Sequence, residues 1–294
     1  MSQLPLWPMH DTQHIVNVAS VKHLSPFRYP GGKTWFVPRI RQWLLSAPKR
    51  PPLFVEPFAG GAIVGLTVAA EQMADHVLLA EIDAQIASVW QTVLGDDAEW
   101  LCEQILTFDL TAENVERALE QQASTRRERA FQTILRNRVN RGGILAPGAG
   151  CLKYGENGKG IRSRWYPETL CKRIHYIHHR LQNRITFVHG DGLQILREYA
   201  ENPRAYFFLD PPYTAPGKKA GARLYTHHSL DHAQLFELAE RVRGDFVMTY
   251  DNSTHTRHMA SAHGFACAPV AMKNTHHAKM TELVISKCLD WLLG

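Results

Sequence analysis

The chain has no uninterrupted apolar run near the ~18 residues that a membrane-spanning helix needs, so no membrane anchor is expected. Its first twenty residues carry Pro5, Pro8, His10 and Asp11 and no compact apolar block, so no secretory signal is expected either. Cysteine is scarce and unpaired: five residues, at 102, 151, 171, 267 and 288, with no CxxC spacing. An odd, scattered set excludes a disulfide framework and a thiolate zinc site, and it points to a reducing, cytosolic setting. No internal repeat is present. What is present is ordinary for a folded protein. Hydrophobic residues make up 45% of the 294 positions and charged residues 21%, which excludes intrinsic disorder. The length allows one large domain or two modest ones with a sizeable core.

Net charge is small, +5 from 33 Lys/Arg and 28 Asp/Glu, but it is unevenly placed. Between Arg126 and Arg184 fourteen basic residues face only Glu128, Glu156 and Glu168, a local +11, so the remainder of the chain carries −6. An Arg-rich segment that also holds Tyr154, Trp165, Tyr166 and Tyr176 is suited to a polyphosphate partner, and nucleic-acid contact is expected there.

The hydrophobic pattern predicts an α/β sheet. A helix-like stretch, 35–45, follows a Pro-Gly-Gly turn. Then come a short strand at 53–55, a glycine turn at 60–61, an apolar helix at 63–72 and a strand at 76–80 that ends in Glu81. This is one βαβ unit. A helical region with acidic caps covers about 84–122. Glycines at 142, 143, 148, 150, 155, 158 and 160 predict loops or a hairpin within the basic segment, closed by a helix at 167–181. Strands at 185–188, 206–209 and 246–250, a helix at 230–242 and a last strand near 283–286 complete the pattern. The expected division is an extension, 1–24, a catalytic domain from 25–122 and 185–294, and an inserted, loop-rich basic subdomain, 123–184.

Three clusters carry chemistry. In Phe54-Val55-Glu56-Pro57-Phe58-Ala59-Gly60-Gly61 a glycine turn at a strand end lets the backbone approach a ligand, and Glu81, about twenty residues on, suits the hydroxyls of a ribose. This fits an adenosine-bearing cofactor without saying which. A dinucleotide fingerprint would want glycine at 60, 62 and 65, and position 62 is Ala62. In Phe27-Arg28-Tyr29-Pro30-Gly31-Gly32-Lys33-Thr34 the Gly-Lys-Thr ending is not a P-loop, because Phe27 stands where its first glycine belongs and no apolar strand precedes it. In Phe207-Phe208-Leu209-Asp210-Pro211-Pro212-Tyr213 a buried strand delivers an acid, two prolines and an aromatic to its C-terminal end. There Asp210 and a neighbouring carbonyl can take both hydrogens of an exocyclic amine, and Tyr213 offers a face for a planar base.

In this order the three clusters resemble the Dam-like (D12 class) DNA adenine-N6 methyltransferases, over nearly everything from Pro26 to Lys287. The resemblance implies a Rossmann-like methyltransferase sheet with helices on both faces plus a DNA-recognition insertion. It implies S-adenosylmethionine as cofactor, bordered by Tyr29, Gly31, Gly32 and Lys33. Phe58, Ala59, Gly60 and Gly61 would meet its methionine part, Glu81 its ribose and Asp191 its adenine, with Asp210 also near it. Asp210, Pro211, Pro212 and Tyr213 would hold the flipped target adenine. Double-stranded DNA would be contacted by Arg136, Asn137, Arg138, Arg141, Lys153, Arg162, Arg164 and Tyr225. Gly142 and Gly143, beside Asn137 and Arg138, resemble the start of the DNA-contacting hairpin.

The activity expected is methyl transfer to adenine N6 by a cytoplasmic monomer or weak dimer, in a bacterial nucleoid or phage-infected cell, as in a restriction–modification setting. Cytosine-N4 methylation is the chemical rival, though that class more often has Ser in place of Asp210. A non-catalytic nucleic-acid-binding protein and a nicotinamide-dependent oxidoreductase are rivals of other classes. Of the 16 histidines, the pairs 178–179, 227–228 and 276–277 lack partners at ligand spacing, so no metal is expected.

Overall fold

The computed structural model describes residues 18–28, 31–146, 148–155, 158–212, 230–273 and 279–293. Seven strands form one sheet in the order β3-β2-β1-β4-β5-β7-β6. They are β1 (Leu53–Glu56), β2 (His76–Glu81), β3 (Ile185–His189), β4 (Ala205–Leu209), β5 (Asp245–Asp251), β6 (Ala266–Lys273) and β7 (Lys279–Ser286). The first five pair in parallel, while β7 runs antiparallel to both β5 and β6.

Central parallel strands are covered on both faces, which is why β1 and β4 read as unbroken apolar runs. Their side chains alternate between two cores. Phe54, Val77, Leu79, Phe208 and Val247 face one core, and Val55, Leu78, Ala80, Phe207, Leu209 and Met248 face the other. The first core is filled from α1 (Val37–Ser46), α2 (Ile63–Ala70), α3 (Ala84–Leu94) and α4 (Ala98–Thr107). The second takes α8 (Gly192–Tyr199), α9 (His232–Glu240) and α10 (Thr254–Ala262). Helices therefore cover both faces, the Rossmann-like architecture that the sequence implied. α2 is apolar all round and fully enclosed at Val64, Leu66 and Val68.

The region 84–122 is three helices, α3, α4 and α5 (Ala112–Glu120). The basic segment is less loop-like than its glycines suggest. α6 (Arg126–Val139) starts it and α7 (Pro167–Tyr176) closes it, running on as a wider π-type turn over Ile177–Leu181. The start of α6 has a complete capping box, in which Thr125 and Glu128 satisfy each other's backbone N–H groups. That T-x-x-E signal stands in the sequence but is hidden among arginines. Ala130 and Ile134 of α6, and Leu170, Cys171 and Ile174 of α7, lie in the first core. Both helices of the basic segment thus share the first core. Between them Asn140 and Cys151 pair in an isolated antiparallel bridge, and Ile161 and Trp165 pack on a satellite cluster of Leu110, Val115, Leu135 and Val139.

Among the described residues no helix is long and apolar enough to cross a membrane.

Candidate active site

The parallel strands end in acids. Glu56 closes β1, Glu81 closes β2, Asp191 follows β3, Asp210 follows β4 and Asp251 closes β5. The strand order reverses between β1 and β4, so a crevice opens beyond their C-terminal ends, the usual ligand position in open α/β sheets.

Asp210 is held there firmly. Its Oδ1 accepts the Thr249 hydroxyl at 2.8 Å and the Lys33 ammonium at 2.9 Å. The register Leu209↔Met248 places Thr249 of β5 beside Asp210. The register Asp251↔Glu282 brings the β7 carboxylate alongside, and Lys33 Nζ lies 3.4 Å from Glu282 Oε2. Lys33 is 4% exposed and also donates to the Gly31 carbonyl at 3.3 Å. A buried lysine among two carboxylates is well compensated. With Oδ1 engaged twice, the carboxylate plane is set and Oδ2 is left without a hydrogen-bond partner among the described residues, one-fifth of the side chain being open.

Glu56 and Glu81 are buried. Glu56 accepts the Gly65 N–H at 2.7 Å, and burial pushes its carboxyl up to about 8, with Asp210 adding to the rise. Glu81 accepts the N–H of Gly60 and of Asp83, each at 2.9 Å, and burial raises it to about 7 despite those donors. Among the described residues neither carboxylate has an ion-pair partner. Burial thus drives both acids, at the ends of adjacent strands, toward their neutral forms.

The glycine turn between them is tight. Gly60 has φ 47° and its carbonyl accepts the Trp90 indole N–H at 2.9 Å. Ala62, where a dinucleotide fingerprint wants glycine, itself sits in the left-handed region at φ 50°. Gly65 allows α2 to lie close on the sheet, since a Cβ there would fall 2.5 Å from Leu79 Cδ2 and 2.6 Å from Glu56 Oε2.

The other anticipated residues are placed as follows. Gly31 and Gly32 are exposed and lead into Lys33, which turns toward Asp210 and Glu282. Ala59 and Gly61 are buried in the turn, and the Phe58 ring packs where a Gly192 Cβ would otherwise lie. Asp191 caps α8, accepting the Leu193 N–H at 2.9 Å. Pro211 is buried and Pro212 half-buried. Tyr29, Tyr213 and Tyr225 lie outside the described residues.

In the basic segment Arg141, Lys153 and Arg162 are exposed and Arg164 is half-buried. Arg136 is half-buried and bonded to Gln85. Asn137 and Arg138 depart from the expectation of direct DNA contact, because they are 0% and 4% exposed. Asn137 bonds both backbone groups of Arg28 and the Gly143 carbonyl, while Arg138 donates to the Pro26 carbonyl. Their work is to clamp the segment before the 31–33 turn against α6.

Glu56, Thr249 and Glu282 were missed by sequence reasoning. Glu56 lay within a quoted motif, at the end of a strand, and that position was its signal. Thr249 and Glu282 have none, since only strand register brings them to Asp210.

Among the described residues no group of three or more His, Cys, Asp or Glu side chains is placed to hold a metal ion. A comparison with curated protein sequences found no match. Among solved structures the chain is similar to the rRNA methyltransferase aviRa from Streptomyces viridochromogenes, at 13% identity over 87% of this chain and 85% of that one, with a TM-score of 0.38. It is similar also to a precorrin-6y C5,15-methyltransferase from Geobacter metallireducens, at 10% identity over 84% of each chain and a TM-score of 0.33. Likenesses that distant add nothing to the topology already described. The sequence profile of the D12 class N6 adenine-specific DNA methyltransferases, by contrast, matches residues 29–273, which include the 54–61 and 207–213 clusters and the first cluster from Tyr29 onward. The sheet, the motif order and that match over most of the chain make this protein a member of the D12 class N6 adenine-specific DNA methyltransferase family and an S-adenosylmethionine-dependent methyltransferase.

Proposed function

We propose that the protein methylates the N6 amino group of an adenine extruded from double-stranded DNA. The observation that carries this reading is the anchored Asp210, whose Oδ1 is fixed by Lys33 and Thr249 while Oδ2 stays available at the mouth of the crevice.

An adenine amino nitrogen is a poor nucleophile, because its lone pair is delocalised into the ring. Asp210 Oδ2 accepts one N–H and the Pro211 carbonyl the other, so the nitrogen is drawn toward a pyramidal form with its lone pair directed outward. Lys33 and Thr249 stop the carboxylate from rotating away, and much of the rate comes from this positioning. S-adenosylmethionine supplies an electrophilic sulfonium methyl group. Gly31, Gly32, Phe58 and the 59–61 turn would hold it, with Glu81 toward its ribose and Asp191 toward its adenine, and its positive charge would favour the ionised forms of Glu56 and Glu81. As the nitrogen gains the methyl group, the methyl–sulfur bond would break and S-adenosylhomocysteine would leave as a neutral thioether, and the nitrogen loses one N–H proton, which passes to water. Tyr213 stacks on the extruded base and offsets part of an unstacking cost of a few kcal/mol.

Residues 140–166, with Arg141, Lys153, Arg162 and Arg164, form the target-recognition part. Phosphate contacts there set register, and a few side chains read base edges. Asp210 answers the amine of adenine, and the family match favours adenine over cytosine.

The test is incubation of duplex DNA with radiolabelled S-adenosylmethionine, followed by nucleoside analysis. N6-methyladenine is expected, whereas N4-methylcytosine or an unlabelled product refutes the reading. Asp210→Ala abolishes transfer and keeps cofactor binding.

A further inference from the structure

Glu282 is an acid on β7, a strand paired on both sides, and the sheet itself gives no reason for it. In the antiparallel pairing of β7 with β5, Glu282 stands opposite Asp251 and Val284 stands opposite Thr249. Like charges that face each other across two strands are unfavourable. Side chains alternate along a strand, so Val247, Thr249 and Asp251 of β5 share a face with Glu282 and Val284 of β7. Val247 and Val284 belong to the first core. The helical turn Lys33–Phe36 packs into that same core through Phe36, so Lys33 reaches the strand ends from the face that Glu282 shares.

There the two side chains meet. Lys33 Nζ lies 2.9 Å from Asp210 Oδ1, 3.3 Å from the Gly31 carbonyl oxygen and 3.4 Å from Glu282 Oε2. The ammonium is thus held between Asp210 and a second carboxylate, not by Asp210 alone. That second hold has two consequences. A lysine is a point charge on a flexible four-carbon stem, and tied to one carboxylate it can pass from one oxygen to the other. On Oδ2 it would occupy the position that an incoming amine needs. Burial also disfavours the charged amine, and each carboxylate beside it restores the charge.

We propose that Glu282 is a positioning residue for methyl transfer: it keeps the Lys33 ammonium charged and on the Oδ1 side of Asp210, so that Oδ2 stays open to the target amine. Glu282 acts through Lys33 and touches neither base nor cofactor. It lies on β7, beyond the residues 29–273 that the family profile matches. The proposal rests on the methyltransferase reading above and deepens it.

Glu282→Gln and Glu282→Asp separate charge from shape. Gln keeps the length and loses the charge, while Asp keeps the charge and loses one methylene. The single-turnover rate of methyl transfer to duplex DNA is measured with saturating S-adenosylmethionine, and KM for the cofactor is measured beside it. In Glu282→Gln the rate should fall by roughly 10- to 100-fold, the scale of a misplaced reacting group, with KM for the cofactor unchanged. Glu282→Asp should recover part of that loss. A packing role predicts the reverse order, with Gln harmless and Asp damaging.

A second measurement needs no turnover. The Lys33 side chain is followed by NMR over a pH series in protein carrying carbon-13 lysine, its resonance assigned with Lys33→Met. The acids around it are Asp210, Glu282, Asp251 opposite Glu282, and Glu56, which senses Asp210. Glu282→Gln removes one of them, and the Lys33 titration midpoint should fall by about one pH unit and return in Glu282→Asp. An unchanged midpoint in Glu282→Gln overturns the proposal. So does a wild-type transfer rate in Glu282→Gln, or an Asp variant slower than the Gln variant. A lowered midpoint in Glu282→Gln, joined to a wild type that transfers no methyl group to DNA, overturns the methyltransferase reading and leaves the hold of Glu282 on Lys33 standing.

Discussion

Replacing Glu56 by Gln should flatten the dependence of stability on pH. Glu56 is enclosed at the end of β1, bonded to Gly65 N–H, and raised from an ordinary 4.5 to about 8. Between those two values the folded protein holds a proton that the unfolded chain has released. Stability from this group is therefore complete below pH 4.5, falls as pH rises, and is gone above pH 8. Each pH unit in that window costs up to ~1.4 kcal/mol, so Glu56 alone lowers stability by about 4 kcal/mol between pH 5 and pH 8. Gln keeps a carbonyl oxygen for Gly65 and carries no titrating proton. Urea unfolding of the cofactor-free protein at pH 5, 6, 7 and 8 measures this. The wild type should lose stability across the series, and Glu56→Gln should lose about 4 kcal/mol less. Glu81, raised to about 7, contributes a similar fall in both proteins, so the comparison isolates Glu56. Parallel profiles for the two proteins would refute the argument, since they would mean that Glu56 ionises normally despite its burial. Saturating S-adenosylmethionine should also flatten the wild-type profile, because a cation beside the two acids favours their charged forms.

Thr249→Val removes the neutral donor to Asp210 Oδ1 and keeps the shape of the strand. A loss of about 1 kcal/mol in positioning should slow kcat roughly fivefold without changing cofactor affinity, and an unchanged kcat in steady-state assays would remove Thr249 from the site. Gly65→Ala puts a methyl group 2.5 Å from Leu79 Cδ2, and should cost about 1–3 kcal/mol in urea denaturation. Asn137→Ala strands the Arg28 backbone and the Gly143 carbonyl in a buried place. It should destabilise the fold by about 3 kcal/mol and leave the salt slope of DNA binding unaltered, and a changed slope would return Asn137 to the DNA surface.

Much of the fold was legible because local signals agree with it. The apolar run 53–55 before a glycine turn, the all-apolar α2 and the acid closing β2 could hardly read otherwise. The parts that were missed share a cause. β6 is edged by polar and small residues and gains its pairing only from β7. α6 buries Ala130 and Ile134 between arginines, so its inward face is obscured by its charge. Arg138 and Asn137 read as surface residues because their types are usually exposed, and burial against the 25–28 segment is a property of packing, not of spacing.

By itself the sequence determined the chemistry offered: a glycine turn, an acid at each of several strand ends, the Asp210-Pro211-Pro212-Tyr213 cluster, and a basic segment set apart from an acidic remainder. Residue type and local order settle such features, because turns, caps and strand ends are made by neighbours in the chain. Only the tertiary structure decided which of these groups act together. Lys33, Asp210, Thr249 and Glu282 are separated by up to 249 positions; strand register brings the last three together, and the packing of the helical turn Lys33–Phe36 adds Lys33. Burial, likewise a tertiary property, lifts Glu56 and Glu81 toward neutrality and turns two arginine-segment residues from DNA ligands into the clamp behind the active-site turn.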